Sequence, residues 1–447
     1  MTGQQETPAQ SAETASAEAA PAGAVTTVAP PGGAATAVAA PAVAATAVAG
    51  QPPFSGQAPG VYLQDVFPTP EPGLLTGVPA FLGYATQGTP NAPQPLTLWP
   101  QFGTAFGAPP AIQTQPGGPP VTGFLASAVR GFFENGGLLC YVVRLDDDAD
   151  SPLTALHRGL AALDGTDSID LVCAPDIMIW AGSADAPDVA TATALQAELL
   201  AGSQRVYGRF AILDAVLTSD SGIVEQQRSA LTSQDGALYH PWLWAPDAAG
   251  NSRYMPPCGH VAGVYARSDQ QSGVHKAPAN EILEGVLDLR VILADDEVGR
   301  LYGNAVNCAR SMPGRGIRVW GARTLSDDPA WQHIGARRVF LTMSRWLERF
   351  MTGLVFEPND IRLWVRIMRE LTAYLDGLYQ GGALKGRSPD EAFFVKCDSE
   401  TNPPEVTGAG MVVTQVGVAV AAPAEFVVVR IIHGASGVSI QPDSATS

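Results

Sequence analysis

Basic residues are scarce in this 447-residue chain, and none occurs before Arg130. Lys and Arg total 26 against 43 Asp and Glu, a formal net charge of −17. So acidic a chain lacks the basic surface that neutralises phosphates, which argues against nucleic-acid binding. The missing N-terminal positive charge also removes the basic region that opens a secretory signal, so no signal peptide is expected. No uninterrupted apolar run reaches about 18 residues, so no membrane span or insertion is expected. The five cysteines (Cys140, Cys173, Cys258, Cys308, Cys397) are odd in number, widely spaced and without a CxxC pair. They read as buried reduced thiols rather than a disulfide framework.

Catalytic signatures are equally sparse. The chain has no GxxxxGK[ST] phosphate loop, no GxSxG nucleophile elbow and no HExxH pair. Gly314-Arg315-Gly316 is too short for a dinucleotide fingerprint. His240, Cys258, His260 and His275 carry zinc-ligand chemistry, and Cys258 and His260 are spaced for one face of a strand. Nothing in the sequence brings His240 and His275 to them, and that reading is set aside. Asp146-Asp147-Asp148-Ala149-Asp150 lacks the Gly and distal Glu of a calcium loop and reads as a solvated acidic turn. No cofactor, metal or catalytic residue is expected.

What is present is enough apolar material, 46 % of residues, for two or three domains and a sizeable core. Residues 1–58 are dominated by Ala, Pro, Thr, Val, Gly and Gln. They bury too little to offset backbone ordering, which predicts a disordered or extended arm, with a tether or targeting tail as the functional alternative. From 59 to about 330, strand-like runs at 78–84, 139–145, 169–174 and 209–215 alternate with helical segments at 124–135, 153–163 and 192–202. Such alternation predicts an α/β domain with a mainly parallel sheet covered by helices. Residues 237–246 read as one further strand, and the segments after 283 as β-rich.

A smaller α+β C-terminal domain is predicted over 331–447, with two long helices and terminal strands. The first helix, 334–352, carries Phe340, Met343, Leu347 and Phe350 on one face. The second, about 359–379, carries Ile361, Trp364, Met368, Leu371, Leu375 and Leu378 as a continuous stripe. Asn359 or Asp360 can cap it, and Gly381-Gly382 ends it. Strands are predicted at 392–397, 411–421 and 426–432, the last two flanking Pro423. Residues 300–387 hold 14 of the 26 basic residues and 7 of the 43 acidic ones, a net of +7 against −24 elsewhere. Arg338, Arg345 and Arg349 lie nearly opposite the first apolar stripe, and Arg362, Arg366 and Arg369 opposite the second. Charge sorted by sign in this way reads either as a solvated face or as a surface for an acidic partner.

The segment 389–433, PDEAFFVKCDSETNPPEVTGAGMVVTQVGVAVAAPAEFVVVRIIH, closely resembles the C-terminal domain of contractile sheath proteins. These form the outer tubes of contractile phage tails, tailocins and contractile injection systems. Four further segments resemble the family in the same order: 59–66 (PGVYLQDV), 128–137 (AVRGFFENGG) leading into 140–144 (CYVVR), 256–267 (PPCGHVAGVYAR) running on to 274–280 (VHKAPAN), and 314–325 (GRGIRVWGARTL). The departure lies at the front, where 58 residues precede the segment with which family members commonly start.

The resemblance implies a structural subunit rather than an enzyme. It implies a helical homo-polymer of stacked rings around an inner tube, assembled in an extended metastable state that contracts and drives the tube into a target. Baseplate and terminal cap proteins are implied partners, as is a AAA+ ATPase in particle biogenesis. Assembly is expected in the cytoplasm, as part of a phage tail or of a particle released on lysis. The family's linking arms add strands to neighbouring subunits. Here that role falls to Val61, Tyr62, Leu63 and Val66 and to Phe426, Val427, Val428, Val429 and Ile431. The resemblance sets a C-terminal-domain helix against the tube, so the two arginine rows are expected to face it. The rival class is an enzyme built on the α/β domain, which a large parallel sheet always permits.

Overall fold

Strands Pro79–Gly83, Phe210–Asp214 and Gly236–His240 bury every residue, as parallel strands covered on both faces must. They belong to an eight-stranded sheet. Its order is Gly316–Trp320, Val306–Met312, Gly236–His240, Phe210–Asp214, Leu171–Cys173, Pro79–Gly83, Cys140–Arg144, Gln94–Leu96. The six inner strands are parallel and the two outer ones antiparallel. In this computed structural model the described residues are 74–442, apart from 115–117, 207, 355–356, 421–425 and 435–436. The N-terminal arm and the expected linking strand 61–66 lie outside them.

Helix Leu125–Glu134 packs on helix Cys258–Ser272, and helix Pro152–Ala161 on helix Val189–Arg205. The first pair joins two of the segments that carry the family resemblance. A Cβ on Gly259 would lie 2.3 Å from the Ala128 carbonyl oxygen, so only glycine permits this approach. Both edges of the large sheet are guarded. One carries Pro95, which cannot extend a ladder. The other is closed by 280–283, through Asn280 N–H to Val319 O at 2.7 Å and Leu283 N–H to Ile317 O at 2.8 Å.

Long helices Ile334–Thr352 and Ile361–Gln380 follow, then a four-stranded antiparallel sheet in the order Phe393–Lys396, Val412–Val418, Val427–Gly434, Gly437–Pro442. Phe340, Met343, Leu347, Ile367, Leu371 and Leu375 pack with Val416, Val429 and Ile431 in a second core. Trp346 stacks on Tyr374 with ring centroids 3.7 Å apart. Ile334 and Leu341 belong instead to the core of the large sheet, so the first long helix serves both cores.

Two local expectations are corrected. Residues 237–246 form two strands rather than one: Leu243–Pro246 leaves the large sheet and pairs with Ser252–Met255 and Asp288–Leu289. The 256–267 segment is helical, so Cys258 and His260 do not share a strand face. The region after 283 is β-rich as read, with strands Asp288–Leu289, Val306–Met312 and Gly316–Trp320, and adds a helix at Asp295–Gly303, closed at its start by Glu297 accepting the Ala294 N–H at 3.1 Å.

Candidate functional site

The second long helix builds an exposed face from its own spacing. At 100° per residue, Leu363, Ile367, Leu371 and Leu375 form one seam, and these four are buried. Ile361, Arg362, Val365, Arg366 and Arg369 fall on the opposite side, and all five are exposed. Asp360 caps the helix, accepting the Arg362 and Leu363 N–H groups at 2.8 and 3.2 Å. The expected stripe therefore turns by roughly 50°, about a seventh of a revolution, and keeps Leu371 and Leu375. Ile361, assigned to the core from sequence, is 68 % exposed. Trp364, Met368 and Leu378 are only partly buried against that core. Arg366 pairs with Glu357 at 3.0 Å and Arg369 with Glu370 at 2.6 Å. Both pairs lie at the surface, where each contributes about 0–1 kcal/mol.

The first long helix departs from expectation. Arg349 is exposed, but Arg338 and Arg345 are buried and cannot face a partner. Arg338 donates Nη1 to Asp269 Oδ1 at 2.8 Å and Nη2 to Asp269 Oδ2 at 2.6 Å, with Asp170 Oδ2 at 3.0 Å from the same Nη2. Its guanidinium also lies 5.0 Å from the centre of the Tyr265 ring. Arg345 donates to the backbone oxygens of Asp167 at 2.6 Å and Leu75 at 3.4 Å. Arg337, next in the chain, pairs with Asp235 at 2.7 Å inside the protein. Burial works against the Arg338 charge, yet Asp269 and Asp170 hold its pKa above the ordinary value. The signal was in the sequence: Ile334, Arg338, Leu341 and Arg345 lie at i, i+4, i+7 and i+11, one helix face with apolar neighbours.

The C-terminal linking strand is also placed differently. Val427–Gly434 is paired on one side with Val412–Val418 and on the other with Gly437–Pro442. Val429 and Ile431 therefore have both ladders filled within the chain, whereas Val427 and Val428 are paired on the Val412–Val418 side. Phe426 lies just outside the strand, edge-on to Phe394 with ring centroids 5.4 Å apart. The outer strands of this sheet are Phe393–Lys396 and Gly437–Pro442.

The large sheet reverses strand order between Pro79–Gly83 and Leu171–Cys173, the crevice where doubly wound sheets bind ligands. Here Asp176 occupies it. Its carboxylate accepts the N–H of Tyr84 at 2.7 Å and of Leu125 at 3.0 Å, and also that of Phe124. The chain thus supplies its own anion to the start of the Leu125–Glu134 helix, where a ligand phosphate would sit. Burial pushes Asp176 up to about 6, even though those N–H groups favour its charged form. A cavity of about 560 Å³ remains beside it, lined by Tyr84, Asp146, Asp147, Asp150 and Trp180 among others, with no Lys, Arg, Cys or His among the described residues of its wall. Asp146 is paired with Arg158 at 2.7 Å and Asp147 with Arg144.

The residues weighed for zinc do not converge. His240 and His260 are buried and pushed down to about 4 by desolvation, and the His260 ring packs against Gly131. His275 is partly exposed. Among the described residues no group of three His, Cys, Asp or Glu is placed to hold a metal. All five cysteines are buried and unbridged. Among the described residues no helix is long and apolar enough to cross a membrane.

This architecture is that of a known structural class. Residues 155–325 match the phage tail sheath protein central domain, and residues 326–432 the phage tail sheath C-terminal domain. The chain belongs to the contractile tail sheath family. It is 26 % identical over 177 residues to the tail sheath protein of Salmonella phage ViI, covering 38 % of this chain and 27 % of that protein. It is 28 % identical over 233 residues to a putative prophage major tail sheath protein of Pseudomonas aeruginosa, covering 50 % and 57 %. The chain thus spans between about a quarter and just over half of these relatives' lengths. Among solved structures it resembles a chain of the anti-feeding prophage baseplate, at 29 % identity and a TM-score of 0.64, covering 83 % of this chain and 97 % of that one. It also resembles a chain of the PVC extracellular contractile injection system sheath complex in the contracted state, at 28 % identity and a TM-score of 0.62, covering 83 % and 96 %.

Proposed function

We propose that this protein is the structural subunit of a contractile sheath. It polymerises as stacked rings around an inner tube in an extended metastable state, and contracts to drive the tube into a target. New contacts between subunits supply the free energy, and no catalytic turnover is involved. Family membership supports the sheath role, and the filling of the ligand crevice by Asp176 disfavours an enzyme built on the same sheet. Partners in this reading are further copies of the chain, an inner tube protein, baseplate and cap proteins, and a AAA+ ATPase during biogenesis. Assembly takes place in the cytoplasm. We divide the chain into an arm over 1–58, a sheath domain over 59–330 and a C-terminal domain over 331–447. The linking strand at Val61, Tyr62, Leu63 and Val66 adds to a neighbour's C-terminal sheet at an outer strand, because its inner strands are already paired.

The observation that carries the tube contact is the exposed face of the second long helix. Arg362, Arg366 and Arg369 lie there beside exposed Ile361 and Val365, opposite a buried seam. An acidic tube exterior fits this face, through contacts of about 0–1 kcal/mol each that are weak enough to break on contraction. Arg349 is the sole member of the first row still available to join it. Reversing Arg362, Arg366 and Arg369 to Glu is expected to leave the protomer folded and to give contracted or tubeless sheaths. Raised salt should weaken tube retention in the same direction. Extended sheath packed around tube at wild-type yield would remove this face from the contact.

A further inference from the structure

The described body begins at residue 74, downstream of the expected linking strand 61–66, and its first residues are held in an unusual way. Leu75 leaves its side chain 57 % exposed, so apolar burial does not anchor it. Polar groups do. The Leu75 carbonyl accepts from Arg345 Nη1 at 3.4 Å. The Thr76 side chain hydrogen-bonds Asp269. The N–H groups of Gly77 and Val78 donate to Asp170 Oδ2 and Oδ1 at 3.0 and 2.6 Å. Gly77 has φ +70, and a Cβ there would lie 2.5 Å from the Ala266 Cα, so the turn is pressed onto the Cys258–Ser272 helix. Asp170 and Asp269 are themselves joined by the buried Arg338. Every residue from 75 to 78 is therefore tied down, Leu75 through Arg345 and the next three through the acids that Arg338 joins, and both arginines stand on the first long helix.

We infer that Arg338 and Arg345 clamp residues 75–78, which follow the N-terminal linking strand in the chain, to the first long helix, so that tension on that strand passes into the C-terminal region instead of peeling the first strand from the large sheet. This rests on the reading above, in which Val61, Tyr62, Leu63 and Val66 link subunits. The geometry supplies the reason. Pro79–Gly83 lies in the middle of the large sheet, between Leu171–Cys173 and Cys140–Arg144. A pull at its N-terminal end would load its ladder bonds one after another. Anchored at 75–78, the pull is instead shared by charge-assisted bonds, which are about twice as strong as neutral ones. The first long helix then carries it to both cores. Buried ion networks seldom raise net stability over an apolar core, so a mechanical role gives this one a function that packing alone would not.

Two variants test the clamp. Arg345→Gln releases Leu75 and Asp167 and leaves the Asp170–Arg338–Asp269 triad. Arg338→Met empties the triad at similar side-chain length. In purified full-length protomers, amide hydrogen exchange over 74–80 should be about tenfold faster or more in either variant, with 210–214 and 236–240 unchanged. Sheaths assembled from the variants should form, then fragment when contraction is triggered, as seen in contour lengths by electron microscopy. Unaltered exchange at 74–80 overturns the clamp. So does faster exchange with contracted sheaths of full length, because the root would then bear no tension. If Arg338→Met does not fold, Arg345→Gln alone decides. Failure of the underlying reading looks different: removing 1–66 would then leave normal sheaths from protomers whose clamp is intact.

Discussion

Arg338 and Arg349 stand in the same row of one helix, yet one is a buried strut and the other a solvated charge. Their difference lies in what faces them. Asp170 and Asp269 come from a strand approach and a helix far away in the chain, and they turn a nominal surface arginine into an internal cross-brace. Removing one partner of such a buried pair costs about 3–5 kcal/mol. Asp214 is a second buried acid with a measurable consequence. Burial pushes it from its ordinary 3.8 to about 7, against a hydrogen bond from the Cys258 N–H at 2.7 Å. The unfolded chain loses this proton near its ordinary value, while the folded chain keeps it until about 7. Between those values the folded state binds more protons, so this group makes stability fall as pH rises, by about 1.4 kcal/mol per pH unit crossed. Asp214→Asn should therefore gain on the wild type from about pH 4 to about pH 7 and stay level above, in urea unfolding of the protomer across that range. Parallel stability curves would show that Asp214 does not titrate in this window.

At the scale of elements, the second long helix shows how an amphipathic pattern is shared between a core and an interface. Two apolar stripes run along it: Leu363, Ile367, Leu371 and Leu375 are buried, whereas Ile361 and Val365 are 68 % and 53 % exposed. The sequence alone does not rank them, because both repeat at helical spacing. Leu371→Ala should destabilise the protomer by about 2–5 kcal/mol, the range for opening a cavity in a packed core. Ile361→Gln should stay within about 0.5 kcal/mol of wild type, as surface changes do. Thermal unfolding of the two variants checks this, and equal losses would mean that both stripes are covered within the protomer. The strand Val427–Gly434 teaches the complementary point. Val429 and Ile431 are buried and the strand is paired on both sides. Truncation at Ala424 would also take Val429 and Ile431 out of the C-terminal core, so loss of assembly in that variant would not by itself report a link between subunits.

At the scale of the whole molecule, the two cores are tied together by one helix and its buried arginines, which suits a subunit that moves as a single body within a lattice. The arm divides into two parts with different expected roles. Removing 1–55 should leave sheath formation and contraction intact, because its composition provides no apolar set to join a core. Removing 1–66 takes Val61, Tyr62, Leu63 and Val66 as well, and should leave soluble protomers that form no sheath. Electron microscopy of the two assemblies distinguishes them. Loss of assembly on the shorter deletion gives the first 55 residues an ordered role, and normal tubes from the longer one remove the linking strand.

Much of the fold was legible because burial on both faces of a strand leaves a continuous apolar run, as at Phe210–Asp214, and burial of one helix face leaves a 3.6-residue period, as along Ile334–Thr352. Local sequence was enough to determine the alternation of strands and helices, a helix cap at Asn359 or Asp360, the lack of catalytic motifs and, through five ordered segments, the family. Relations across the chain were decided only by tertiary structure. The helix at Cys258–Ser272 went unread, and the spacing of Cys258 and His260 suited a strand, because packing against Ala128 and Phe132 requires Gly259 and Gly263, which blur the helical period. Arg338 and Arg345 became internal because Asp170, Asp269 and the backbone of 75 and 167 meet them in space. Residues 429–434 have no free edge within the chain because Gly437–Pro442 folds back on them. A residue's type and spacing fix what it can bond to, but which partner it finds depends on contacts that carry no signature in the neighbouring sequence.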